Sequence, residues 1–405
     1  MTTIGVSLNI SINTIRCPLP LSGVWPIIPP LYYIMASLCP GGSPKAVQAL
    51  SLVLSIGTLG IFYWLIRHLE FIQPRFKKYC LLCASLLPSF VIRSNFISND
   101  ALAFFIGALI FLQTYLYIQR PCLRRQNVLA LYLGLGLLTK GTFVFFVPPL
   151  VCLVLIMQWK ATQGLRKSIF SLFVFIGIFT CLGAYKPIAN RIHYGRPIVF
   201  NMDVNEGCFA SQGPVYNGLK SFYDINIFKL IENDSFPFIR SYPLLLYKSF
   251  WFQYRPYADQ SLLARIGHYN QKATLLLGIV PSILVLIGIL QCLSLIRDLC
   301  KYKEMPLGQF NNILYRVFCC FLFLFNLLMI VYYTHKFDVW SSVQAKYIFP
   351  SFFGFIVLLH AGLDLLVKRW TALAKPIYYC LNVLYISFGM YFFTSMIISS
   401  LQCSV

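Results

Sequence analysis

The sequence predicts an all-α fold, a polytopic membrane helical bundle of about ten transmembrane helices with a folded exoplasmic loop. Three observations predict it. Of 405 residues, 58% are hydrophobic and 11% charged, against about 45–50% and about 25% in a soluble domain. Apolar runs near the roughly 20 residues that cross a bilayer recur along the chain. Basic residues gather in alternate connections between those runs, as the positive-inside rule requires. A mean hydropathy of +0.72 excludes soluble enzymes, disordered tails and secreted disulfide scaffolds. The formal charge of +21 comes from 33 Lys and Arg against 12 Asp and Glu. Nucleic-acid binders are rich in charge. This chain is not, so no nucleic-acid partner is expected.

The elements follow in order. The N-terminal segment, 1–45, lacks a positive n-region before a long apolar core and is a poor signal peptide. Within it, Pro26 to Leu38 is too short to span and reads as an interfacial helix begun by proline. A transmembrane core module, 46–186, holds expected spans at 46–66, 79–95, 101–118, 127–139, 142–158 and 168–186. The pair 127–139 and 142–158 is short and broken by Thr139-Lys140-Gly141. A lone Lys in hydrocarbon costs about 2.5–3.5 kcal/mol on insertion scales, so a tight interfacial turn is expected there. Residues 187–272 are mixed and aromatic and read as the folded exoplasmic loop. The C-terminal helices, 273–405, hold spans at 273–296, 317–334, 347–367 and 377–398.

Orientation follows from the short loops. One alternating set carries Arg67, Arg75, Lys77 and Lys78, then Arg120, Arg124 and Arg125, then Lys160, Arg166 and Lys167. It ends with Arg297, Lys301, Lys303 and Arg316, then Lys368, Arg369 and Lys375. These define the cytoplasmic side. The opposite short loops hold only Arg93, Lys140, Lys336 and Lys346. Both termini are then exoplasmic. The chain reads as a multi-pass protein of a bacterial inner or plasma membrane, or of the endoplasmic reticulum in a eukaryote, with membrane lipids as partners.

Several signals are weak. Most of the fourteen Cys lie in or beside spans, where free Cys acts as a small hydrophobe. Cys80-x-x-Cys83 has metal or redox spacing but no second pair. Cys17, Cys39, Cys208 and Cys403 face outward, which allows a disulfide without implying one. The five His show no HExxH spacing, and there is no GxSxG, P-loop or GxGxxG.

The acids concentrate opposite the basic loops. Asn99-Asp100 stands at the mouth of a span, where it serves either as an N-cap or as a carboxylate facing a surface cavity. Lys140 reads as a snorkelling cation or as a cation for a lipid phosphate. Arg191 and Arg196 follow a span end; His335, Lys336 and Lys346 flank another. Beside Asp100, these cations look like a pocket for a phosphorylated, membrane-embedded substrate.

The motif order resembles polyprenyl-phosphate-dependent membrane glycosyltransferases of the GT-C superfamily, including protein O-mannosyltransferase and lipid A aminoarabinose transferase relatives. Pro29-Pro30-Leu31-Tyr32-Tyr33 resembles a helix of their first exoplasmic loop. Pro88 to Leu102 resembles the start of the span after the second. Gly134 to Gly141 resembles their GLALLTKG turn, and Asn190-Arg191 with Tyr194-Gly195-Arg196-Pro197 an RNxxxYGxP segment. Ser249-Phe250-Trp251 resembles a loop motif, and Ala345 to Pro350 a GRYLLPA segment. The six occur in order over 29–350.

The resemblance implies a GT-C-like fold and transfer of a sugar from a polyprenyl-phosphate donor to a glycan, lipid or protein acceptor outside the cytoplasm. A carboxylate would be the general base, and cations or a divalent metal would steady the leaving phosphate. It assigns Asp100 to the second-loop acid, Lys140 to the lipid phosphate, and Arg191, Arg196, His335 and Lys346 to the substrate pocket. The chain also departs from the family. No Asp or Glu precedes Glu70, and Met1 to Trp25 offers no span, whereas the family places a span and its main acid there. Lys346 stands where Arg is usual, which forfeits bidentate phosphate contact. The expectation is a truncated or inactive enzyme. The runner-up reading is a non-catalytic membrane protein or a transporter of lipid-linked saccharides. A transporter predicts broken or polar helices at mid-bilayer. Asn326 is a rare midspan polar residue, and helix–helix packing accounts for it.

Overall fold

The computed structural model describes residues 30–39, 43–94, 97–160, 165–197, 199, 203, 218–225, 241–251, 262–299, 305–373, and 375–389 apart from 380, 384 and 387. Residues 1–29, most of the 187–272 loop and the end of the 377–398 run lie outside them. So do Cys17, Cys208 and Cys403. Cys39 carries a free thiol.

Among the described residues the fold is all helical. Seven helical segments are long and apolar enough to cross a membrane: Pro44–His68, Asp100–Gln119, Gly141–Lys160, Arg166–Gly183, Gly278–Leu299, Leu307–Phe337 and Phe349–Arg369. The chain is a multi-pass membrane protein. Each of the seven overlaps one expected run. In chain order the helices that build the site are α1 (Leu31–Ser37), α2 (Pro44–His68), α3 (Pro74–Leu86), α4 (Pro88–Ser94), α5 (Asp100–Gln119) and α6 (Leu123–Thr139). A 3-10 segment (Gly141–Phe146) leads into α7 (Val147–Lys160), followed by α8 (Leu165–Gly183) and α9 (Tyr185–Tyr194). After α10 (Lys220–Tyr223) come α11 (Tyr242–Trp251), α12 (Leu262–Leu299), α13 (Leu307–Phe337) and α14 (Phe352–Arg369).

Two expected runs differ from a simple span. The 79–95 run is split, because Leu87 is extended (φ −61°, ψ 114°) before Pro88. Proline lacks the N–H that would continue α3 and pushes the residue before it out of helical space. The 127–139 run is one helix of 17 residues, about 26 Å long at 1.5 Å per residue. It lies alongside α8, with Gly134 against Leu182 and Gln126 bonded to the Ser171 carbonyl at 2.7 Å.

Glycines let the central helices approach closely. A Cβ on Gly107 of α5 would strike the Pro350 carbonyl, and one on Gly354 the Cys319 carbonyl. Gly288 and Gly362 each face the other helix's backbone where α12 and α14 cross. Small residues at such crossings allow the backbone contact that drives packing where lipid supplies no hydrophobic force. Rings fill the space around them: Phe62 lies 5.2 Å from Phe353, Phe111 5.4 Å from Phe353, and Phe250 4.7 Å from Phe355.

Contacts between segments define two ends of the bundle. At one, Lys77 Nζ donates to the Arg67 carbonyl at 2.6 Å and Gln113 to the Arg125 carbonyl at 2.7 Å. There too, Gln73 donates to Asp364 at 2.5 Å. The described basic connections therefore share one end. Asp100, Lys140 and Lys346 meet at the other.

Candidate functional site

The site begins with two adjacent residues at the start of α5. Asn99 and Asp100 do not use their side chains to cap α5. They reach instead to the end of α6, where the last carbonyls have no intrahelical partner. Asn99 Nδ2 donates to the Thr139 carbonyl at 3.1 Å, and Asp100 Oδ1 accepts from Lys140 Nζ at 2.6 Å. The N-cap reading of this pair is therefore replaced by a clamp on α6. Lys140 does not snorkel: it is only 9% exposed, and its backbone is extended (φ −157°, ψ 130°) between α6 and the 3-10 segment.

A second cation completes the pair. Arg93 Nη1 lies 3.0 Å from Asp100 Oδ2, so each carboxylate oxygen already faces a cation. Arg93 is buried, and its Nε has no hydrogen-bond partner among the described residues. Lys346 is the third cation. Its carbonyl accepts from Lys140 Nζ at 3.4 Å, and its ammonium lies 5.2 Å from the Tyr347 ring, which Lys140 also faces at 5.1 Å. Burial pulls the Lys346 ammonium down to about 8; Asp100 opposes that shift, and Arg93 and Lys140 add to it. Burial also lowers Lys140, against the opposing pull of Asp100. Three cations and one carboxylate leave the cluster two positive charges in excess, in a place poorly screened by water.

The surroundings fix this cluster. Tyr32 of α1 is fully buried and shares a 2.9 Å hydrogen bond with Ser51 of α2. Burial raises both Tyr32 and Tyr33, and the Asp100 charge adds to each. Ser249 Oγ accepts from the Ala345 N–H at 3.0 Å, and Ser89 Oγ donates to the Ser249 carbonyl at 2.8 Å. The 249–251 motif thus holds the Ala345–Tyr347 turn against the foot of α4. Lys186 of α9 lies on the other flank, its Nζ 3.9 Å from where a Gly141 Cβ would stand, and burial lowers it to about 8.

Of the six residues singled out in the sequence, the structure gathers Asp100, Lys140 and Lys346. Arg196 belongs to a separate, more exposed group in which Arg196 and Lys336 lie 4.0 Å and 3.3 Å from Asp203. Tyr333, 5.5 Å from Tyr347, stands between that group and the first. Arg191 is exposed and donates to the Gly195 carbonyl, where the positive φ of 71° ends α9. His335 is exposed near the end of α13. Neither Arg191 nor His335 joins the Asp100 cluster. Sequence reasoning counted Arg93 for topology alone and gave no role to Lys186, the last residue of the 168–186 run. The available signal was that a cation at a buried span mouth needs an acid, and Asp100 was the nearest. Among the described residues no three His, Cys, Asp or Glu side chains gather as a metal site.

No family model matches the chain, and no curated protein matches it.

Proposed function

We propose that this chain is a GT-C-like membrane glycosyltransferase with about ten spans, acting on a sugar carried by a polyprenyl phosphate at the exoplasmic end of the bundle. The observation that carries the reading is the excess of positive charge at buried Arg93 and Lys140 and half-buried Lys346 around one carboxylate. Such a cluster calls for an anion, and its site at a span mouth suits a phosphate on a membrane-embedded chain. Five of the six motif segments that carry the resemblance have described residues at this end: Tyr32, Asp100, Lys140, Ser249 and Lys346. The sixth, at Asn190-Arg191, begins beyond Lys186.

In the transfer, the bond from the anomeric carbon to the lipid phosphate oxygen breaks and one to the acceptor oxygen forms. The phosphate leaves with the electron pair, and the acceptor proton passes to a base. Lys346 and Lys186, which have no ion-pair partner among the described residues, are suited to receive the departing charge. Asp100, with a cation at each oxygen, is better suited to orient Lys140 and Arg93 than to take the proton.

That occupancy also favours a second reading, a protein that binds or moves lipid-linked saccharides without transfer. The test is sugar release from a radiolabelled polyprenyl-phosphate sugar by the full chain in liposomes. Transfer that falls at least tenfold in Lys346→Gln supports the enzyme. Donor binding with no transfer favours the second reading, and absence of both overturns both.

A further inference from the structure

At the opposite, basic end of the bundle a half-open cavity of about 430 Å³ lies between the start of α6, the end of α7 and the start of α8. Two of its lining residues are cations, Arg166 and Lys167, which are exposed and unpaired with any acid among the described residues. Leu123, Met157 and Phe170 form an apolar wall. Phe170 is 65% exposed, and Ile169 and Phe173 on the same helix are exposed too, so this face of α8 is directed to lipid. Trp159, 75% exposed, stands beside the cavity where an interfacial aromatic is expected.

The floor is polar. Gln126 Oε1 accepts from Ser171 Oγ at 2.7 Å, Gln158 Nε2 at 2.9 Å and Tyr117 at 3.3 Å. Gln158 donates again to Ser171 Oγ at 2.9 Å. A bare phosphate would satisfy the cations but has no use for the apolar wall.

We propose that this cavity binds an anionic phospholipid, such as phosphatidylglycerol, from the leaflet at the basic end. The phosphate meets Arg166 and Lys167, and an acyl chain lies along Leu123 and Phe170. Basic pockets between helices at this level suit anionic headgroups. The proposal is independent of sugar transfer.

The test is lipid retention by the full chain, purified from nanodiscs of phosphatidylcholine with added phosphatidylglycerol and read by native mass spectrometry. Phosphatidylglycerol should be retained over phosphatidylcholine. Arg166→Gln/Lys167→Gln should cut that retention about tenfold or more, with an unchanged melting temperature in phosphatidylcholine alone. Arg297→Gln/Arg369→Gln, which removes exposed cations at the same end but outside the cavity, should leave it unchanged. Equal retention of both lipids, an equal loss in the control pair, or displacement by inorganic phosphate would overturn the proposal.

Discussion

Lys140 Nζ stands 2.6 Å from Asp100 Oδ1, joining residues 40 apart in sequence and tying the start of α5 to the end of α6. Both side chains are buried, and Arg93 closes the other carboxylate oxygen at 3.0 Å. The contact makes one carboxylate the keystone of a cationic cluster.

Removing that carboxylate strands two buried cations. Breaking a buried ion pair from one side costs about 3–5 kcal/mol. Asp100→Asn should therefore lower the melting temperature in detergent far more than a surface substitution does. Lys140→Gln in the same background should add little, because the partner is already gone. Additive losses in the double variant would show that the two residues act separately.

The pH dependence has two opposite signs. Lys346 and Lys186 are held at about 8 by burial, below the usual Lys value of about 10.4. Binding of a lipid phosphate should weaken as pH rises through 8, since both cations lose their charge. Stability should move the other way. Between about 8 and about 10.4 the unfolded chain keeps protons that the folded chain has lost, so stability rises with pH across that window. Melting curves of wild type and Lys346→Met, compared from pH 7 to pH 10, isolate the Lys346 share. Wild type should gain on the variant as pH rises.

Close helix packing gives a third expectation. Gly107→Ala and Gly362→Ala each place a methyl group against facing backbone, at Pro350 and Leu284. Overpacking of this kind costs about 1–3 kcal/mol or more. Gly60→Ala meets nothing within 4 Å and should be neutral or stabilising by up to about 1 kcal/mol. Thermal unfolding in one detergent checks all three.

The long helices were legible because apolar length alone marks a span, and the Lys140 turn because a cation interrupts such a run. The break at Leu87 was also visible, since Pro88 stands inside the 79–95 run, but hydropathy outweighed it. Arg93 was assigned only to a loop, because its partner Asp100 comes from a tertiary contact between α4 and α5, and Lys186 was passed over because its approach to the Gly141 turn is tertiary too. Arg191 looked like a pocket cation because spacing does not tell a helix C-terminus from a binding site. His335 and Arg196 lie near the right span ends, yet both are exposed, and Arg196 faces Asp203 instead. Alternation of charge placed the described basic connections at one end, and the structure gathers them there.

The most direct measurement is the affinity of the full chain in nanodiscs for a polyprenyl phosphate, in wild type and in Lys346→Gln/Lys186→Gln. Charge-assisted contacts to phosphate contribute about 1.5–3 kcal/mol each, so the double variant should bind about a hundredfold more weakly or worse at pH 7. An unchanged affinity would mean that these cations serve the fold alone and that the anionic substrate is held elsewhere.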